Sequence, residues 1–198
     1  MAHGISNILY MDDFLDEIPD EELRGERVTL RLLHGPDAPA LYSVIDGSRE
    51  FLARHLPWPA ECDSVEDVES RIDTWELQAD MANGACWGIF EGAQLAGVII
   101  LGWIQAAHLS ANISYWLGEK FTHRGLATES LRILSRFAFT GLGLNRLEIS
   151  ASVTNAASRA VATRAGFREE GVSREFERIN GKFVDHVRFA RLASDPEN

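Results

Sequence analysis

The sequence predicts one α/β domain, a mixed sheet of about seven strands with roughly four helices on its faces. Three observations predict it. Residues 27–117 hold strand-type alternation around helical stretches, whereas residues 126–165 interleave helical spacing with a strand. Asn180-Gly181, joining two long runs of mixed polarity, is a strong hairpin signal. At 198 residues, 45% hydrophobic and 25% charged, the chain can build one substantial core without repeats or low-complexity linkers.

The elements follow in order. Met11 to Arg24 (MDDFLDEIPDEELR) is densely acidic and reads as part of a solvated extension, residues 1–24, ahead of a domain at 25–194. RVTLRLL places Val28, Leu30 and Leu32 on one face of a half-buried strand. Pro36 to Leu56 reads as one or two short helices ending in the turn-like HLPWP. Ser64 to Met81 has the spacing of an amphipathic helix, with Ser64 as N-cap and Asp67 three residues on. CWGIF, EGAQ and LAGVIILGWI form a hairpin, and ANISYWL is a further strand rich in β-branched and aromatic residues. Leu126 to about Phe139 is a helix with a wide apolar face. Asn145 to Val153 is a strand, and Ala156 to Ala165 is a helix with Asn155 as N-cap and Gly166 as its stop. FREEGVSREFERI and KFVDHVRFARL are the closing hairpin.

Charge and cysteine usage exclude several classes. Nineteen basic against thirty acidic residues give a net charge of −11, contrary to the basic stripe of a nucleic-acid binder. Cys62 and Cys86 have no metal-ligand spacing and form no disulfide framework; His108, His123 and His186 are scattered singly, so no metal is expected. No apolar run approaches the roughly 20 residues of a membrane span, and the N-terminus lacks the pattern of a secretory signal. The expectation is a cytoplasmic protein with no membrane partner.

EKFTHRGLATESL raises the question of chemistry. Its turn, Thr122 to Gly125, follows a strand and precedes a buried helix, so consecutive N–H groups and the helix dipole point at one place, an anion site. Gly125 admits a phosphate close to the backbone, small Ala127 keeps the first turn open, and Arg124 can add a charged contact. A loop glycine beside a solvated arginine is the plainer alternative. No Lys-Ser or Lys-Thr follows the glycine, and G-x-G-x-x-G is absent, so neither a P-loop nor a dinucleotide fingerprint is present. About thirty residues on, TNAASRAVATRAGF places Asn155 and Ser158 one turn apart at a helix start.

THRGLA, NAAS and AGF, in this order, resemble the GNAT superfamily of N-acetyltransferases. HLPWP, ISYWLGEKFTHRGLATESL, VTNAASRAVATRAGF, EEG and INGKFVDHVRFAR resemble more narrowly the RimJ/RimL-type ribosomal-protein N-terminal acetyltransferases, from Arg27 to about Ala193. The resemblance implies the GNAT fold, a mixed, mostly antiparallel sheet with helices on both faces. It implies acetyl-CoA as co-substrate, held by Thr122, His123, Arg124, Gly125, Leu126, Ala127 and Thr128 at the pyrophosphate, with Asn155 and Ser158 alongside. The pantetheine arm would run against Ile113, Tyr115, Trp116 and Leu117 by backbone pairing. The family usually has Gln or Arg at the position of Thr122 and often Gly at that of His123. Glu177 matches the proposed general base and Ser158 the proposed proton donor to sulfur, although a solvated strand carboxylate and a helix-start serine are ordinary features. His55, Trp58, Glu175 and Asp185 are candidates for the acceptor wall, and structural packing explains them as well. A protein N-terminus is the leading acceptor; a small amine is the alternative, as is a non-catalytic acyl-CoA-binding regulator, and a homodimer is left open.

Overall fold

The structure, a computed structural model, describes residues 17–196. A single eight-stranded sheet runs in the order β1-β2-β3-β4-β5-β6-β8-β7. Its strands are β1 (Leu23–Arg24), β2 (Val28–Leu32), β3 (Gly84–Glu91), β4 (Gln94–Gln105), β5 (Ser110–Leu117), β6 (Arg146–Ser152), β7 (Arg168–Ile179) and β8 (Lys182–Leu192). The helices are α1 (Ala38–Asp46), α2 (Arg49–Leu52), α3 (Val65–Asp80), α4 (Leu126–Thr140) and α5 (Ala156–Arg164). The eighth strand, beyond the seven expected, is the two-residue β1, too short to leave a periodic trace.

Strand alternation divides the core between the two faces of the sheet. Ala85, Trp87 and Ile89 of β3 face one cluster with Leu126, Leu131, Leu134 and Ala138 of α4 and Ala162 of α5. Cys86 and Val98 face the other, with Leu41 and Ile45 of α1 and Val68 and Ile72 of α3. β3 and β4 therefore read as nearly unbroken apolar runs, because both of their faces are covered. Caps set the helix ends: Ser64 accepts from the Asp67 N–H at 3.2 Å, and Asp67 Oδ2 accepts in return from the Ser64 N–H at 2.9 Å. Asn180 and Gly181 both have positive φ, 49° and 80°, as a tight two-residue hairpin requires.

The acidic segment departs from the expectation that it is solvated throughout. Ile18 is buried, its N–H donates to the Ala79 carbonyl at 3.2 Å, and β1 pairs with β2. Its few apolar residues attach this stretch to the domain before residue 25. The remainder of the extension, residues 1–16, lies outside the described residues.

The pairing of β5 positions the site. β5 is antiparallel to β4 along nearly its whole length but parallel to β6 only at Ser110–Asn112, opposite Arg146–Glu148. Beyond Asn112 the two strands diverge, and Ile113–Leu117 have no strand partner on the β6 side.

Candidate acyl-CoA site

The loop from β5 to α4 lies at the mouth of this divergence. Ser48, buried at the α1–α2 joint, accepts the Glu119 N–H at 3.0 Å and fixes where the loop begins. A 3₁₀ turn at Glu119–Phe121 follows, with the Thr122 hydroxyl donating to the Glu119 carbonyl at 2.8 Å. His123 and Gly125 then take positive φ, 59° and 82°, and Gly125 becomes the N-cap of α4. This backbone turns a run of donors outward: the N–H groups of residues 123–128 meet no acceptor among the described residues. Six unpaired N–H groups at the positive end of a fifteen-residue helix form an anion cradle.

The cradle is braced from its far side. Arg124 Nη2 pairs with Glu91 Oε2 at 2.6 Å, Arg27 with the other oxygen of Glu91 at 3.2 Å, and an Arg27 guanidinium N–H donates to the Arg124 carbonyl. Glu129 Oε1 accepts the Arg27 N–H at 2.8 Å. The side chain of Arg124, expected to reach an anion directly, is held by Glu91 and helps to shape the loop. That of Thr122 is engaged in the preceding turn.

A cavity of about 590 Å³ opens from the cradle. Of the residues singled out in the sequence, it is lined by Tyr115, Trp116, Leu117, Thr122 through Thr128, Asn155, Ser158 and His55. Ile113 is buried in the core and offers only backbone. Trp58 does not line the cavity; it packs at a tilt, ring centres 5.4 Å apart, against Trp116, which does. Sequence reading missed Phe51, Arg54 and Leu56 on one wall and Ala157, Ala160 and Val161 on the other. The α5 residues follow from helical spacing once Ser158 is placed.

One polar contact shapes the α5 wall and another ties it to β5. Asn155 Oδ1 accepts the Ser158 N–H at 3.1 Å, capping α5. The Tyr115 hydroxyl is 3.1 Å from both the carbonyl and the Oγ of Ser158. Burial pushes the Tyr115 phenol up to about 12, so it stays neutral at neutral pH, donating to the Ser158 carbonyl and free to accept from Ser158 Oγ. The Tyr115 hydroxyl gave no signal in the sequence, because its partner is 43 residues away.

The remaining candidates lie on the β7–β8 hairpin, outside the lining of this cavity. Glu177 Oε2 is 3.2 Å from His186 Nε2, off the angle of a formed hydrogen bond, while His186 Nδ1 is 2.9 Å from Ser150 Oγ. Burial raises the Glu177 carboxyl above its ordinary range; burial, then Arg188, lowers the His186 imidazole. Asp185 accepts the Glu175 N–H at 2.8 Å across the bulge where Glu175 has φ 49°. The hairpin tip returns to the cavity wall, where Asn180 Nδ2 donates to the Ala53 carbonyl at 3.0 Å.

No His/Cys/Asp/Glu cluster suited to a metal occurs among the described residues, and none of their helices is long and apolar enough to cross a membrane. Residues 27–168 match the acetyltransferase (GNAT) domain. YdaF of Bacillus subtilis, named for ribosomal N-acetylation, is 34% identical across 87% of this chain and 95% of its own. A ribosomal-protein-serine acetyltransferase of Escherichia coli is 29% identical across 77% of this chain and 85% of its own. RimL, a ribosomal-protein α-N-acetyltransferase solved in complex with coenzyme A, superposes with a TM-score of 0.84 at 28% identity, over 87% of this chain and 98% of that one. An anion cradle at a helix start, an open strand edge beside it and a domain match over most of the length agree: the chain belongs to the GNAT family of N-acetyltransferases.

Proposed function

We propose that this protein acetylates the α-amino group of a protein or peptide in the cytoplasm, using acetyl-CoA. The observation that carries the cofactor assignment is the run of unpaired N–H groups at residues 123–128 opening onto the cavity between β5 and α5. Acetyl-CoA bound there supplies an activated acyl group as a thioester. The residues present fit it: backbone donors without a Cβ at Gly125 suit a pyrophosphate, and the unpaired edge of Ile113–Leu117 suits the amides of a pantetheine arm.

Three chain groups have roles in this reading. A free N–H on the β5 edge polarises the carbonyl under attack. Ser158 Oγ delivers a proton to the departing sulfur and recovers one from water, while the neutral Tyr115 hydroxyl, 3.1 Å away, orients it. Glu177 takes the proton of the attacking amine, directly or through water. Support for Glu177 is its raised carboxyl pKa and its place on the hairpin whose tip bonds the Phe51–Leu56 wall through Asn180.

The acceptor follows from amine acidity. An α-amino group titrates at about 7.7 to 8.0 and lysine near 10.4, so at about pH 7.4 neutralising lysine costs roughly 4 kcal/mol and an N-terminus well under 1 kcal/mol. A lone, partly desolvated carboxylate suits the smaller task. The relatives named for ribosomal-protein acetylation point the same way. The test is free-thiol release with acetyl-CoA and peptides having small first residues and basic flanks, beside their N-terminally blocked, lysine-containing versions, acidic peptides, spermidine and an aminoglycoside. The unblocked basic peptides are expected to react fastest. Faster reaction of a small amine would assign the enzyme to small molecules, and no turnover of any acceptor despite CoA binding would make it a regulator.

A further inference from the structure

The closing hairpin carries one buried imidazole. His186 is 5% exposed, and its Nε2 is buried with no hydrogen-bond partner among the described residues. A buried ring nitrogen left unpaired costs the resting fold free energy. The group it faces is the Glu177 carboxylate, whose Oε2 lies 3.2 Å away.

The β7 bulge brings the two together. His186 stands opposite Ser173, so a regular ladder would put Glu175 opposite Val184. Two extra residues across Ser173–Glu177 put Glu177 there instead, diagonal to His186 on one face of the hairpin. The left-handed Glu175, φ 49°, and the bond from its N–H to Asp185 at 2.8 Å hold the bulge in that shape.

The ring itself is fixed. Ser150 Oγ on β6 is 2.9 Å from Nδ1, and Phe176 packs on the imidazole with ring centres 4.9 Å apart. Charged groups face it from two strands, Glu177 from β7 and Arg188 from β8; β6 supplies the Ser150 hydroxyl and Glu148, the latter held by Arg188 at 3.1 Å. Burial, then Arg188, holds the imidazole below its ordinary range, so at neutral pH it is neutral and bears one ring proton. A proton on Nδ1 would turn the Nε2 lone pair toward a carboxylate oxygen, acceptor against acceptor. The proton therefore belongs on Nε2, with the Ser150 hydroxyl donating to Nδ1.

We infer that His186 is a positioning residue for Glu177: Ser150 fixes its tautomer, and its Nε2–H holds Oε2 so that Oε1 is left to meet the attacking amine. The inference rests on the assignment of Glu177 as general base and adds the pair that aims it. At 37% exposure the Glu177 side chain can turn to close the bond when an acceptor binds, whereas the clamped ring stays in place. As the amine nitrogen bonds to the acetyl carbon its proton passes to Oε1, and the imidazole neither gains nor loses one.

Turnover of the unblocked basic peptide with acetyl-CoA, followed against pH in His186→Leu, His186→Gln and Ser150→Ala, tests it. His186→Leu keeps the bulk and removes both nitrogens. Its plateau kcat should fall about tenfold, the scale of one charge-assisted hydrogen bond, with coenzyme A affinity unchanged. An N–H donor favours the ionised carboxylate, so its loss should also move the acid limb of kcat upward by about one pH unit. His186→Gln, whose amide nitrogen reaches the Nε2 position, should recover the rate to within about threefold and return the limb. Ser150→Ala frees the other tautomer and should shift the limb in the same direction, so the test stands even if His186→Leu does not fold. Equal losses in the Leu and Gln variants that track Tm, with the limb unmoved, would make His186 a packing residue and overturn the inference. Wild-type rates and limbs in His186→Leu and Ser150→Ala, beside a slow Glu177→Gln, would overturn it while leaving the base in place. A Glu177→Gln enzyme as fast as wild type, or a wild type that does not turn over, would remove the base assignment and the inference with it.

Discussion

Gly125 offers a direct perturbation of the cradle, because its backbone conformation and its surroundings can be tested apart. With φ 82° it lies in the left-handed region, where an ordinary L-residue is strained by about 1–2 kcal/mol. Space is not the difficulty: an added Cβ would meet only Arg27 Nη1, at 3.8 Å. Gly125→Val should therefore fold with a loss of about 1–3 kcal/mol, lowering Tm by about 2–4 °C per kcal/mol in a chain of this size. Gly125→Asn is the companion, since asparagine tolerates this conformation and should keep most of the stability. Both add bulk at a residue that lines the cavity, and losing one charge-assisted contact of about 1.5–3 kcal/mol there weakens binding roughly 10- to 100-fold. Calorimetry with coenzyme A and thermal unfolding of the free proteins are the assays. Near-wild-type coenzyme A affinity in a folded Gly125→Asn would refute the assignment of residues 123–128 as the phosphate cradle.

Two further outcomes follow from the other side chains. Glu177→Gln should lower turnover by roughly 10² to 10⁴ fold with acetyl-CoA affinity unchanged. It should not lower stability at neutral pH. A carboxyl whose folded pKa is raised opposes folding as pH climbs from its unfolded value through the raised one, so the amide should equal or exceed wild type in Tm above that window. Parallel activity and stability losses would return Glu177 to a structural role. Tyr115→Phe removes one hydroxyl at Ser158 and should reduce turnover about fivefold, the worth of one hydrogen bond of about 1 kcal/mol. Ser158→Ala should fall short of the Glu177 effect because water can substitute as donor, and unaltered rates in both variants would remove the pair from the proton path.

Most of the secondary structure was legible because single residues announce it. Ser64 with Asp67, Asn155 with Ser158, and Asn180-Gly181 mark two helix starts and a hairpin through local hydrogen bonds or positive φ. The loop at 122–128 was legible for the same reason, as glycine and small residues are demanded by backbone shape. What stayed hidden depends on distance in sequence. Glu91 and Arg27 brace Arg124 from 33 and 97 residues away, and neither stands out in an acidic chain where carboxylates are common. The attachment of Ile18 was hidden too, because one buried isoleucine among acids makes no period. The bulge across Ser173–Glu177, which sets where Glu177 points, has no glycine at Glu175 to signal its positive φ.

The divergence of β5 from β6 leads to one more measurable consequence. A parallel pair that stops after three residues leaves the β6-side backbone groups of Ile113–Leu117 without a strand partner, beside an apolar cavity wall. Backbone groups without a protein partner are left to water, so this edge offers a ligand hydrogen bonds that the fold does not already make. The N–H groups of residues 123–128 are likewise free to pair with a ligand. Bound acetyl-CoA should therefore stabilise the fold by mass action, by about 2.7 kcal/mol at a hundredfold excess over Kd. At about 2–4 °C per kcal/mol, Tm should rise by roughly 5–11 °C. Hydrogen exchange locates the effect: protection should increase most at residues 113–117 and 123–128, in excess of the general rise along the core strand β3, whose neighbours already pair with it on both sides. Uniform protection across the sheet, with no excess at these two segments, would mean that the ligand stabilises the protein without pairing to the open edge. The carbonyl-polarising role given to β5 would then have no basis.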